Sequence, residues 1–173
     1  MTKLLLTIHV LAAIVAIGPV TVAASNFPAA TRRADLPTLR TLHRICTVYA
    51  ALGVVVPVFG LATATSLGVL GDAWLLVSIG LTLLAAAVLA LLVLPRQAAV
   101  LTTLAGEPGP PAPPAEPSDH PQSGHASTAT VAGSRASLGA QASRLGMVTG
   151  VFNLLWAVVV VLMIVRPGST TGA

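Results

Sequence analysis

The chain has 173 residues, of which 55% are hydrophobic and 8% are charged, and its net charge is +4. Soluble domains carry about 25% charged residues, so this composition excludes an ordinary soluble domain and indicates a membrane protein. The single cysteine, Cys46, excludes an intramolecular disulfide. The basic residues lie between apolar runs, which is a signal of membrane topology rather than of a nucleic-acid surface.

Four uncharged apolar runs are each long enough to cross about 30 Å of hydrocarbon as a helix. They are Leu4–Ser25, Ile45–Leu70, Ala73–Leu94 and Gly146–Val165. The sequence therefore predicts an all-α fold, a four-transmembrane-helix bundle. Residues 1–105 hold helices one to three, and residues 135–173 hold helix four with a cytoplasmic extension and a short tail. Residues 106–134 are rich in proline and almost devoid of apolar side chains, which predicts a disordered cytoplasmic loop.

The first run contains one histidine on a face of small residues. His9 shares this face with Ala12, Ala13, Ala16, Val20, Ala23 and Ala24. Small residues let helices approach closely, so the face is predicted to pack into the bundle. Counting about 1.5 Å per residue from the ends of the runs places His9 level with Thr65, Ser66 and Ser78. We therefore predict a hydrogen bond from His9 to a hydroxyl or carbonyl of span two or three, with these three hydroxyls as the favoured partners.

Two prolines within the runs leave backbone carbonyls without a helical donor. Pro19 frees the carbonyl of Val15, and the same depth count places Asn153 of span four close to it. The side chain of Asn153 is therefore predicted to satisfy this carbonyl. Pro57 frees the carbonyl of Gly53 in the same way.

The first run is also compatible with a cleavable signal peptide, because Lys3 precedes it and the segment TVAAS would allow cleavage after Ala24. The mature chain would then carry four arginines on the outer side of the membrane. The run is also longer than the about 7–15 apolar residues of a typical signal peptide. These two points favour a transmembrane helix.

Basic residues mark one end of the predicted bundle. Of the nine Lys and Arg residues, Lys3 and Arg166 lie at the end of the two termini, and seven lie at the opposite end: Arg32, Arg33, Arg40, Arg44, Arg96, Arg135 and Arg144. The positive-inside rule then predicts that both termini lie outside the cell. Trp74 and Tyr49 are predicted interface anchors. The abundance of Arg, Ala and Gly indicates a bacterial source, so the predicted location is the bacterial cell membrane.

Turn and capping residues predict the helix ends. Asp35 followed by Pro37 predicts the start of helix two ahead of its apolar run. Helix three is expected to continue past Pro95 to about residue 104, and helix four is expected to start near Ser134. Gly71–Asp72 predicts a tight turn between spans two and three.

His9 is the candidate cofactor ligand. An ionisable residue inside a membrane is a functional candidate, and imidazole is a common axial ligand of heme. One alternative to a structural His9 is therefore binding of heme b, with Met163 or His9 of a second copy as the other ligand. His120 and His125 form a weaker candidate metal pair, and we predict no metal site. The sequence shows no nucleophile–base pair, phosphate loop or paired carboxylates, so we predict no catalytic residues and no enzyme.

Two segments carry a resemblance to known proteins: HVLAAIVAIGPVTVAASNFPAATRR and LLWAVVVVLMIVRPGSTTG. They resemble a family of small bacterial integral membrane proteins, the domain of unknown function 2269, over nearly the whole chain apart from the Pro-rich loop. That family has no activity to carry over. More distantly, His9 with the following LAAI is similar to copper-resistance protein D-like membrane proteins. This second resemblance implies copper or heme handling, and the chain matches it at His9 alone.

The sequence thus favours a small multi-pass membrane protein that acts as an accessory or scaffolding component. Its predicted partners are the lipid bilayer and other membrane proteins or a second copy of itself, and no nucleic acid. The alternative is a heme- or metal-binding redox accessory protein that uses His9. A second alternative is an oligomeric small transporter. Small multidrug transporters also have four spans, but they carry a membrane glutamate in span one that this chain lacks.

Overall fold

The computed structural model describes residues 2–106 and 124–167, which are helical apart from short turns. The elements in chain order are α1 (Thr2–Arg32), α2 (Leu36–Leu52), α3 (Val55–Leu67), α4 (Ala73–Ala87), a π-helical segment (Val88–Val93), α5 (Leu94–Gly106) and α6 (Gly124–Val165). They combine into four spans that are long and apolar enough to cross a membrane: Lys3–Arg32, Leu36–Leu67, Ala73–Gly106 and Arg135–Val165. The predicted all-α architecture with four spans is confirmed.

The outward surface of the spans is strongly apolar. Ile14, Leu83 and Leu154 lie in three different spans and are 64%, 64% and 66% exposed. Large aliphatic side chains exposed over whole helices mark a surface that contacts membrane. The exposed faces are therefore suited to contact lipid, whereas small residues of α1 such as Ala16 and Ala23 are buried between helices.

α1 is the central helix of the bundle, and it packs against α2, α3 and α6. Its predicted small face is confirmed: Ala16, Val20, Ala23 and Ala24 are at most 3% exposed. Val20, Ala23 and Ala24 join a core to which Phe27 of α1 and Phe152 of α6 contribute the largest buried side chains. Because the alanine side chains are small, the backbone of α1 can approach the backbones of three neighbouring helices closely.

Span two is interrupted where Pro57 removes a backbone donor. α2 ends at Leu52 and α3 begins at Val55. Pro57 has no N–H to donate to the carbonyl of Gly53. This carbonyl instead accepts from the N–H of Val56 at 3.1 Å. The proline-freed carbonyl is thus satisfied locally by a tighter turn, as membrane helices with proline require.

Span three contains a π-helical segment immediately before Pro95. The N–H of Leu94 donates to the carbonyl of Leu89, five residues back. A proline ring clashes with the carbonyl four residues before it, and the wider π turn relieves that crowding. The helix therefore continues through Pro95 to Gly106, close to the predicted end at about residue 104.

The helix ends follow the capping signals, with one difference. Asp35 caps α2 through a 3.2 Å bond from the backbone N–H of Thr38 to its Oδ1, and Gly68 ends α3 with a left-handed φ of 70°. α6 begins at Gly124, ten residues before the predicted start at Ser134. Most of the predicted Pro-rich loop, residues 107–123, lies outside the described residues, as does the tail from residue 168.

Candidate functional site

His9 joins α1 to α3 through its ring. Its Nδ1 lies 2.9 Å from the backbone carbonyl oxygen of Val56, in the first turn of α3. A carbonyl oxygen only accepts, so Nδ1 carries the hydrogen and donates it. In the neutral ring, Nε2 is then the nitrogen with the free lone pair. The predicted interhelical hydrogen bond from His9 to span two is confirmed, with a carbonyl as the acceptor.

Gly60 makes room for this ring. A Cβ atom at position 60 would lie 2.8 Å from Cε1 and 3.1 Å from Nδ1 of His9. Separations this short are not tolerated between such atoms, so any side chain at Gly60 displaces the imidazole. We call His9, Val56 and Gly60 the His9 node. Among the described glycines, Gly60 is the one whose missing side chain leaves space for an ionisable side chain of another helix.

Two of the three hydroxyls favoured as partners of His9 bond within their own helices instead, so the prediction was wrong for Thr65 and Ser78. Thr65 and Ser66 are exposed and lie about 140° and 120° around α3 from Gly60. The Thr65 hydroxyl donates to the carbonyl of Ala62 at 2.8 Å in its own helix. Ser78 is buried, donates to the carbonyl of Trp74 at 2.8 Å, and lies on α4, which packs chiefly on α6.

A second polar cluster joins three helices near the arginine-rich end, and the sequence interpretation missed it. Gln97 of α5 is 0% exposed; its Oε1 accepts from Nδ1 of His43 at 3.1 Å, and its Nε2 lies 3.6 Å from Sγ of Cys46. The thiol in turn lies 4.0 Å from the carbonyl oxygen of Val20 on α1. The signal was available, because Gln97 stands four residues after a buried valine and three before another, on one helical face.

Asn153 of α6 bonds to α1, but not where the depth count placed it. Its Nδ2 donates to Oγ of Ser25 at 3.1 Å, so the predicted bond to the Val15 carbonyl was wrong. The amide oxygen of Asn153 and the hydroxyl of Thr149, one turn away, are buried and have no hydrogen-bond partner among the described residues. Thr149 is 2% exposed, so two polar atoms between α1 and α6 are unsatisfied.

The end of the bundle that carries the chain termini has its own polar contacts. Trp74 donates from Nε1 to Oδ2 of Asp72 at 2.9 Å, and the guanidinium carbon of Arg166 lies 5.7 Å from the centroid of the Trp74 ring. A tryptophan with one polar partner and one cation suits the membrane–water interface. This geometry agrees with the predicted anchoring role of Trp74.

Among the described residues, Asp35 is the acidic residue at the opposite, arginine-rich end of the bundle. Hydrogen bonding from the Thr38 side chain, then from the Thr38 backbone, and finally the charge of Arg33 lower the pKa of this carboxyl. The remaining acidic residues other than Asp72 fall within residues 107–123. The described surface at this end is consequently dominated by arginine.

Besides His9, Met163 is the suggested ligand whose side chain the structure describes. Within the described residues no three His, Cys, Asp or Glu side chains form a metal-binding group. Met163 packs against the cluster of Ala64, Trp74 and Leu75, and His43 is bonded to Gln97. His120 lies outside the described residues, and of His125 only the backbone, in α6, is described.

Comparison with known proteins gives no match to a family model, to a curated protein or to a solved structure. The resemblance to the domain of unknown function 2269 family therefore stays a prediction.

Proposed function

We propose that this protein is a non-catalytic accessory or scaffolding component of a bacterial cell membrane. The observation that carries the proposal is how the buried polar side chains are used. His9, Gln97 and Asn153 each bond to another helix, and the three contacts lie at different places in the bundle instead of converging on one cavity. A bundle whose polar groups hold helices together, with apolar faces outward, suits a structural role.

Isolation from native membranes tests this proposal. A tagged chain expressed at its natural level should co-isolate with the same integral membrane proteins in a fixed ratio, and tagging those proteins should recover this chain. The single substitution Ile14→Ala on an exposed apolar face provides a matched control for detergent effects. Recovery of the chain alone after mild solubilisation and after chemical crosslinking in membranes would contradict a scaffolding role.

The proposed orientation has both termini outside and the arginine-rich end in the cytoplasm. It is supported by the seven basic residues at one end against Lys3 and Arg166 at the other. Single cysteines introduced as His120→Cys and Gly71→Cys, in a Cys46→Ala background, provide a paired test. Gly71 is exposed and has open space where a side chain would extend. In intact cells a membrane-impermeant maleimide should label position 71 and not position 120. The reverse pattern would invert the orientation.

A second candidate function is heme binding through His9, and the tautomer of His9 favours it. Metal-ligating histidines usually donate the other ring N–H to a carbonyl or carboxylate, which fixes the ring and leaves one nitrogen for the metal. The bond from Nδ1 to the Val56 carbonyl creates this arrangement. The other ligand would be Met163 or His9 of a second copy of the chain.

An absorption spectrum separates the two candidates. If His9 is a ligand, the purified protein shows a Soret band that His9→Ala removes and that His43→Ala retains, because His43 is bonded to Gln97 at the opposite end. If His9 is structural, the wild-type protein has no Soret band even after reconstitution with hemin. A band that both variants retain would exclude His9 as the ligand.

A further inference from the structure

A cavity opens between the end of α1 and the beginning of span four. It is lined by Arg32, Arg33, Ala34, Arg135 and Leu138 and has a volume of about 450 Å³. Small-molecule sites in proteins have volumes of about 300–1,000 Å³. The cavity is therefore large enough to admit a compact ligand, and three of its five lining residues carry a guanidinium group.

The three guanidinium groups are not needed to complete α1. The carbonyls of Ala30 and Thr31, at the end of α1, accept from the backbone N–H groups of Asp35 at 3.2 Å and Ala34 at 3.0 Å. The turn that makes these bonds places Ala34 in the left-handed region, with a φ of 53°. Backbone donors thus satisfy these two terminal carbonyls without help from the arginines, and the exposed side chains of Arg32 and Arg33 line the cavity.

The charge of the cavity is positive after local compensation. Asp35 is the nearby carboxylate in the described chain, and its Oδ1 is held by the N–H of Thr38 while its charge acts on Arg33. One carboxylate against three guanidinium groups leaves an excess of positive charge. Guanidinium groups bind phosphate through paired N–H donors, so the chemistry of the lining matches a phosphate oxyanion.

The cavity lies at the depth of lipid headgroups. α1 spans 31 residues from Thr2 to Arg32, which is about 46 Å of helix, and a bilayer with its headgroups is about 40–45 Å thick. The contacts among Asp72, Trp74 and Arg166 mark the opposite interface. Arg32 therefore lies at the headgroup level of the other leaflet, and Leu138, 9% exposed, adds an apolar wall beside the arginines.

We propose that this cavity binds the phosphate of an anionic phospholipid headgroup. Basic pockets between transmembrane helices are known to hold such headgroups. The two guanidinium groups of α1 and the one of α6 clamp the phosphate, and the acyl chains extend along the apolar faces of both helices. The bound lipid joins the first and last spans of the chain. The proposed lipid site requires only that the protein is embedded in a membrane. A negative result for the accessory role would therefore not contradict the lipid site.

The test measures binding of phosphatidylglycerol to the full-length protein in phosphatidylcholine nanodiscs. The cavity variant is R32Q/R33Q/R135Q, and the matched control is R40Q/R96Q/R144Q, which removes the same charge from exposed arginines at the same end. Diffuse attraction to an anionic surface falls equally in both. We expect the cavity variant to bind phosphatidylglycerol about tenfold more weakly than the control. Thermal unfolding in pure phosphatidylcholine checks that both variants are folded.

Equal weakening in the two variants would overturn the proposal, because it would show diffuse attraction without a site. Inorganic phosphate at millimolar concentration distinguishes the sources of the anion. We expect it to leave bound phosphatidylglycerol in place. If inorganic phosphate displaced the lipid from the unsubstituted protein but not from the cavity variant, the cavity would be a site for soluble phosphate. This result would overturn the lipid assignment.

Discussion

Replacing Gly60 by alanine should destabilise the bundle through His9. The new Cβ would lie 2.8 Å from Cε1 of His9, so the ring must move and its bond to the Val56 carbonyl is lost. Interhelical hydrogen bonds in membranes average about 0.6 kcal/mol, and overpacking costs about 1–3 kcal/mol. Alanine returns about 1 kcal/mol of helix propensity relative to glycine. The net loss is about 0.6–2.6 kcal/mol.

A double-mutant cycle with His9→Ala isolates this contact. Without the imidazole there is no steric clash, so Gly60→Ala in the His9→Ala background should be neutral or stabilise by up to about 1 kcal/mol. The free energy of unfolding is measured in mixed micelles by titration with a denaturing detergent. Gly80→Ala is the matched control, because Gly80 has open space where its Cβ would lie, and this variant should not lose stability in either background.

One outcome of the cycle would contradict the contact between His9 and Gly60. Independent substitutions add within about 0.3–0.5 kcal/mol. If Gly60→Ala costs the same free energy with and without the His9 ring, within that margin, the His9 node does not join α1 to α3. If the Gly80→Ala control also lost stability, the loss in Gly60→Ala could be a general effect of replacing glycine by alanine in a span.

Three further substitutions test other parts of the structure. Ala34→Gly should raise the free energy of unfolding by about 1 kcal/mol, measured by thermal melting, since residue 34 has a left-handed φ of 53° that an alanine side chain disfavours; no change would mean that the turn relaxes. Thr149→Val should be neutral or stabilise by up to about 1 kcal/mol in the same unfolding assay, because it removes a buried hydroxyl that has no partner among the described residues; a clear loss would reveal a bonded ligand or water. Thr38 lowers the pKa of Asp35, so the ionised cap stabilises α2 above the usual Asp pKa of about 3.9 and this stability is lost as pH falls through the lower native value. Asp35→Asn should therefore flatten the acid limb of a stability-against-pH curve, and an unchanged acid limb would contradict the capping role.

The sequence alone determined the architecture. Runs of 20 or more apolar residues and the scarcity of charge specify four helices in lipid, because an unpaired backbone is too costly in hydrocarbon for any other spanning structure of this length. Local chemistry likewise fixed the cap at Asp35, the turn at Gly71–Asp72 and the small inward face of α1, since each depends on neighbouring residues of one segment. The inward position of His9 followed from that face.

The partners of the polar side chains were decided by tertiary structure. The count of helix rise assumed that the ends of all four apolar runs lie at the same two levels. Under this assumption His9 was level with Thr65, and Asn153 was level with the carbonyl of Val15. In the folded bundle Asn153 instead meets Ser25, ten residues further along α1, which is about 15 Å of helix rise. A helix can slide along its neighbour without changing its own sequence pattern, so axial offset and rotation are set by packing between helices. For this reason Val56 and Gly60 became the partners of His9, and Gln97 came to join three helices.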